Sequence, residues 1–173
     1  MKVDKGILGI AGELAVASEI CRRNVYAQLT LGNQKRTDLL VYHGDGYTRI
    51  EVKCKQGDVW PNCRGINSPE AFLVFVDFAK KAENQRPDFY VLTYKEWLQL
   101  LKNKQKNYHK KHPDRRVDIR SGCLYFHDEV NKSGKHYVGC GVSPTDLTNH
   151  LEKWEKIQVI VKGTFKQFSP TDG

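Results

Sequence analysis

The chain predicts an α/β fold, a central mixed β-sheet flanked by helices, in one domain. Three features predict it. A helix-periodic segment opens the chain, a tight hairpin follows around HGDG, and two apolar runs, AFLVFVDF and FYVLT, precede a second helical segment. The 173 residues suit one compact domain with a sizeable core, and neither an internal repeat nor a long linker divides them.

The first helix is predicted over Gly6–Arg23. Ile7, Ile10, Leu14, Ala17 and Cys21 recur at helical spacing, Asp4 suits the N-cap, and Glu19 stands one turn before Arg23. Val25–Leu31 reads as a short strand, and Gly32–Arg36 as a polar turn. Asp38–Tyr42 and Tyr47–Lys53 are strands joined by the His43-Gly44-Asp45-Gly46 turn. Gln56–Pro69, with two glycines and two prolines, reads as a loop in which Trp60 covers the core. Ala71–Phe78 and Phe89–Thr93 are rich in aromatic and β-branched residues, as buried strands are. Helical spacing returns over Tyr94–Asn103 through Trp97, Leu98, Leu100 and Leu101. The basic tract Lys102–Arg116 follows, with Pro113 ending any helix. Gly122–His127 is predicted as a strand and Asn131–Gly134 as a turn. Ser143–Lys156 is predicted as a helix capped by Ser143, with Pro144 first and a Leu147, Leu151, Trp154 stripe. Val159–Phe168 is predicted as a last strand.

Composition narrows the function. Apolar residues make up 39% and charged residues 28%, as in a folded soluble protein. No run approaches the roughly 20 apolar residues of a membrane span, and no signal-peptide pattern opens the chain, so a cytoplasmic location is expected. Five scattered cysteines without a CxxC pair argue against structural zinc and for reduced thiols. A net charge of +8 favours a polyanionic partner.

The chemistry concentrates in RTDLLVYHGDGYTRIEVKCK. Side chains alternate along a strand, so Glu51 and Lys53 share a face, and a tight hairpin brings Asp38 beside them. Two carboxylates, with the Val52 backbone carbonyl as a further oxygen, suffice for Mg²⁺, which keeps several waters. An ammonium in the position of Lys53 can orient a water or stabilise charge on a phosphate. Asp38, Glu51 and Lys53 also suit the solvated face of an ordinary hairpin. Glu13 separates the two readings. Its helical neighbours are Val16, Ala17 and Ile20, and a carboxylate on an apolar stripe is costly unless paired or metal-bound.

Gly12-Glu13 before an apolar helix, Arg22-Arg23, Asp38-Leu39-Leu40-Val41 and Ile50-Glu51-Val52-Lys53 together resemble the PD-(D/E)XK nuclease superfamily. The similarity is to small bacterial and intron-encoded members, homing endonucleases and archaeal Holliday-junction resolvases among them. It is clearest over Gly6–Lys55 and looser to about residue 101, so the core is expected at about 6–101 with additions over 102–173. The resemblance implies a restriction-endonuclease-like αβββαβ core. It makes Glu13 the first-helix acid, Asp38 the motif aspartate and Glu51–Lys53 the E-x-K pair. It also implies Mg²⁺ as cofactor, with Mn²⁺ able to substitute. Thr37 stands where the motif has proline, a position without chemistry of its own.

The expected activity is metal-dependent DNA endonuclease cleavage of double-stranded or branched DNA by a homo-oligomer, a dimer or tetramer. The alternatives are a catalytically silent nucleic-acid-binding module of the same fold and an RNA-directed nuclease. Lys35, Arg36 and Gln56 flank the motif and are candidate nucleic-acid contacts. Lys102, Lys104, Lys106, Lys110, Lys111, Arg115 and Arg116 form a tract suited to gripping backbone phosphates without reading bases.

Overall fold

A computed structural model of the chain describes residues 2–30, 37–44 and 46–165. Helix α1 (Lys5–Cys21) starts at Asp4, whose carboxylate accepts from the Gly6 and Ile7 N–H groups. Strands β1 (Ala27–Leu29), β2 (Leu39–His43) and β3 (Gly46–Lys55) form an antiparallel meander, with His43 paired to Gly46 at the hairpin tip. Strand β4 (Trp60–Cys63) follows, then β5 (Phe72–Asp77), β6 (Asp88–Thr93) and α2 (Tyr94–Lys111). The main sheet runs in the order β1-β2-β3-β5-β6 and is mixed, because β3 and β5 are parallel. The parallel crossover is a loop carrying β4, and α2 comes after β6, started by a capping box between Thr93 and Glu96. Among the described residues no helix is long and apolar enough to cross a membrane.

Strand parity divides the sheet into two faces. Ile50, Val52, Val74 and Val91 pack under α1 and under α3 (Glu155–Phe165). Leu73, Phe75 and Leu92 pack under α2. The later chain adds strands β7 (Val117–Arg120), β8 (Cys123–Val130), β9 (His136–Val138) and β10 (Cys140–Val142), and Val117, Leu124, Cys140 and Val142 join that second core. β7, β8 and β9 form a three-stranded antiparallel sheet, and β10 pairs with β4, so the loop predicted over Gln56–Pro69 contains a strand. Trp60 is buried there, as expected.

Three expectations need correction. Of the predicted row Ile7, Ile10, Leu14, Ala17 and Cys21, Ala17 alone faces the core: Ile7, Ile10 and Leu14 are 61%, 57% and 53% exposed, and Cys21 is exposed. The helix is rotated so that Leu8, Gly12, Val16 and Ile20 face inward. A Cβ at Gly12 would overlap the Cys54 sulfur, so only glycine lets α1 lie this close to β3. The second correction concerns α2, which runs through Lys111 rather than Asn103, so two thirds of the basic tract is helical.

The third concerns the C-terminal segment. Ser143–Lys156 is not one helix: 3-10 turns at Pro144–Asp146 and Thr148–His150 give way to an extended Leu151, which bridges Tyr90. Glu152 then takes φ +55° and its N–H donates to the Phe89 carbonyl. Leu147 is buried in the α2-side core and Trp154 in the α1-side core. The segment therefore wraps around the β6 edge, which a straight helix cannot do. Helix α3 begins only after this wrap and occupies the region predicted as the strand Val159–Phe168 as far as Phe165.

Candidate metal centre at the free edge of β3

The pairing of β2 with β3 ends at Leu39↔Ile50, while β3 continues to Lys55. Beyond that point, among the described residues, no strand covers the β2 side of β3. Asp38, the residue before β2, closes the gap: its N–H donates to the Ile50 carbonyl at 2.9 Å and its Oδ2 accepts from the Val52 N–H at 2.6 Å. In a strand a residue's N–H and C=O point to the same side, so the Val52 carbonyl lies on this edge too. The hairpin thus brings Asp38 to β3 as the sequence predicts, but the carboxylate anchors on backbone.

Glu51 and Lys53 share a face, again as predicted, and form an ion pair of 2.6 Å between Glu51 Oε1 and Lys53 Nζ. Glu51 is only 4% exposed, and its second oxygen, Oε2, is buried without a hydrogen-bond partner among the described residues. Trp60 Nε1 is the other such side-chain atom among the described residues. Their face is the one toward α2, whereas α1 lies on the opposite face. The free edge is where the two faces meet. Glu13, half-buried on α1, feels both sides: burial first, and then the charge of Asp38, raise its carboxyl above the ordinary range, while Lys53 opposes the shift. Cys54 lies among the same groups, and burial together with Glu13 and Asp38 pushes its thiol up to about 12. It is a neutral packing residue and no nucleophile at physiological pH.

Among the described residues no three His, Cys, Asp or Glu side chains stand close enough together to form a ready-made metal cage. The donors at the edge are hard oxygens. That set suits Mg²⁺, which takes one or two carboxylates and retains water, better than it suits zinc. The orphaned Glu51 oxygen fits the same ion, because a buried carboxylate oxygen without a partner is costly until a cation or donor meets it.

The other predicted contacts are scattered. Lys35 and Arg36 lie outside the described residues. Gln56 is committed elsewhere: its Oε1 accepts from the Val3 N–H at 2.9 Å and its Nε2 donates to the Val3 carbonyl at 2.7 Å, tying down the segment before α1. In the basic tract, Lys104 pairs with Asp146, Arg115 with Glu129 and Arg116 with Asp118. Lys102, Lys106 and Lys110 recur every four residues on the solvent side of α2, all exposed and, among the described residues, without an ion pair. Lys104 and Lys111 line a polar cleft between α2 and the 3-10 turns.

A buried ion pair beneath β4 escaped the sequence reading. Lys55 Nζ meets Asp77 Oδ1 at 2.6 Å, donates to the Gly57 carbonyl at 3.0 Å and lies 4.7 Å from the Trp60 ring centroid. The available signal was the continued alternation Glu51, Lys53, Lys55 along one strand face, together with an aspartate ending the apolar run FLVFVD.

No protein-family model matches the chain, and no curated protein matches it in sequence. Among solved structures, the bacterial homing endonuclease I-Ssp6803I is similar to 96% of this chain and 100% of its own, with 16% sequence identity and a TM-score of 0.49. With so few residues in common and so loose a superposition, any function for this chain rests on the atoms of its own site.

Proposed function

We propose that the chain is a divalent-metal-dependent endonuclease of the PD-(D/E)XK type that hydrolyses DNA phosphodiester bonds. The observation supporting it most directly is the buried, unpartnered Glu51 Oε2 beside Lys53, on the strand whose free edge Asp38 caps. Asp38, Glu51 and the Val52 carbonyl would hold Mg²⁺ or Mn²⁺, and Glu13 would add a third acid from α1. When bound, such an ion polarises a phosphate and lowers the pKa of a coordinated water. Lys53 places an ammonium within reach of charge developing on the phosphate and keeps Glu51 in its rotamer. The exposed lysines of α2, Lys102, Lys106 and Lys110, would hold backbone phosphates at a distance from the reaction. Cutting both strands calls for two sites, which a homodimer supplies with least invention. A reducing cytoplasm suits five free thiols.

The Glu51–Lys53 pair favours a second reading, a non-cleaving nucleic-acid-binding module, because a carboxylate already neutralised by an ammonium attracts a cation less strongly. One experiment separates the two. Supercoiled plasmid, linear duplex and a four-way junction are incubated with wild type, Asp38→Ala and Glu51→Gln in Mg²⁺, Mn²⁺, Ca²⁺ or EDTA. The nuclease cleaves in Mg²⁺ or Mn²⁺, barely in Ca²⁺, and loses activity in both variants. Identical behaviour of all three proteins on every substrate would leave the binding module.

A further inference from the structure

Beneath the first turns of α1 the structure has a second feature, an open cleft between the helix and β4. Lys5 and Gly9 line it from the helix, Val52 and Lys53 from β3, and Asn62 and Arg64 from the far wall. Three cations border this cleft, Lys53 paired with Glu51 from below and Lys5 and Arg64 on its rims, and no carboxylate lines it. Lys5 and Arg64 are exposed and, among the described residues, engaged in no ion pair. Like charges gathered around a concave surface repel one another and raise its affinity for an anion. The helix N-terminus is not itself the attraction, because Asp4 already occupies the Gly6 and Ile7 N–H groups.

Gly9 is an independent observation pointing the same way. Glycine inside a helix is unfavourable relative to alanine and lets another chain come close to the helix backbone. Gly12 has a packing reason in Cys54. Gly9 has none: a Cβ built there meets nothing within 4 Å. What the missing side chain leaves is bare helix backbone facing a cationic cleft, where another chain can approach closely. The opposite wall is built by β4, which pairs with β10, and by Trp60, whose ring lies 4.7 Å from the Lys55 ammonium.

We infer that this cleft binds the sugar–phosphate backbone of a nucleic-acid strand next to the candidate metal centre, with Lys5 and Arg64 gripping phosphodiester oxygens and Gly9 admitting the strand against α1. The anion site stands on its own lining; only its role beside the scissile phosphate rests on the nuclease reading.

The test measures binding, so cleavage is not needed. The full chain carrying Asp38→Asn is titrated without divalent metal against fluorescent duplex and single-stranded oligonucleotides across a salt series. Lys5→Ala and Arg64→Ala, at exposed positions that should not disturb folding, are each expected to lower the slope of log affinity against log salt by roughly 0.9 on duplex, or roughly 0.7 on single strands. Gly9→Glu, built into open space, is expected to fold normally by circular dichroism and to weaken binding on the order of tenfold. Unchanged affinity and slope in all three variants would overturn the inference, as would a parent protein that binds neither oligonucleotide at low salt. Weakened binding by the variants, with wild type failing to cleave any substrate in Mg²⁺ or Mn²⁺, would keep the cleft and remove the nuclease. Metal-dependent cleavage with unaltered binding would do the reverse.

Discussion

Lys55 and Asp77 allow a quantitative test of how the wall of the candidate site is held. Their side chains are 3% and 9% exposed and meet at 2.6 Å, and Asp77 also accepts the Ala79 N–H at 2.8 Å. Asp77→Ala leaves an ammonium in the core with only the Gly57 carbonyl and the Trp60 ring to solvate it. Breaking one side of such a pair costs about 3–5 kcal/mol, because the surviving charge has lost its counter-charge. For a chain of this size that is a fall in melting temperature of roughly 6–20 °C. Lys55→Met leaves Asp77 with a single hydrogen bond and is expected to cost about as much. The double variant Lys55→Met, Asp77→Leu removes both charges and fills the space with apolar atoms, so its stability is expected to return to within about 1–2 kcal/mol of wild type. Urea titrations followed by circular dichroism would give the four free energies of the cycle. A surface pair makes the contrast: Lys81 and Asp88 meet at 2.8 Å but are 26% and 43% exposed, so Lys81→Ala is expected to cost under about 1 kcal/mol. Single variants at 55 and 77 that cost no more than this, or effects that add in the double variant, would refute the argument that a desolvated pair anchors β4.

Two further outcomes follow from the charged groups of α1. Glu19 accepts from Arg22, Arg23 and Arg86, and hydrogen bonds from Arg86 and Arg23 hold its carboxyl down at about 2 against burial. A lowered folded-state pKa contributes stability that is full above the unfolded value near 4.5 and is lost as pH falls toward 2. Glu19→Gln should therefore remove about 3 kcal/mol at neutral pH and flatten the acid limb of a stability–pH profile, and an unchanged limb would count against the network. Glu13 is raised by burial and then by Asp38, so its carbon-13 NMR titration should lie above the ordinary carboxylate range and move down, though not fully back, in Asp38→Asn; an unmoved midpoint would place the two carboxylates too far apart to share a site.

Much of the fold near the candidate site was legible because its signals are local. Asp4 as a cap, the HGDG turn, and the apolar runs that became β5 and β6 each act over a few residues, and the structure uses them as written. The placement of Asp38 against β3, and of Glu51 and Lys53 on one face, was legible the same way, from alternation and a short hairpin. Periodicity misled where partners were distant. The row Ile7, Ile10, Leu14 matches a helical face as well as the true one does, and the contact of Gly12 with Cys54 decides between them. Ser143–Lys156 has a good cap and a good stripe, but burying Leu147 and Trp154 in different cores breaks the helix. Gln56 has a side chain suited to substrate, and Val3, more than fifty residues away, claims both ends of it.

By itself the sequence determined an α/β chain with a strand hairpin carrying two acids and an ammonium, because alternation, turn residues and caps act through neighbours along the chain. Only the tertiary structure decided that β2 stops one pair short of Glu51, that the Glu51 carboxylate is buried with one oxygen unmet, and that the underside of α1 opens onto a cationic cleft. Those features depend on how closely a helix can approach a sheet and on which charges end up without water. Both are properties of surfaces brought together from distant parts of the chain, and no local spacing encodes them.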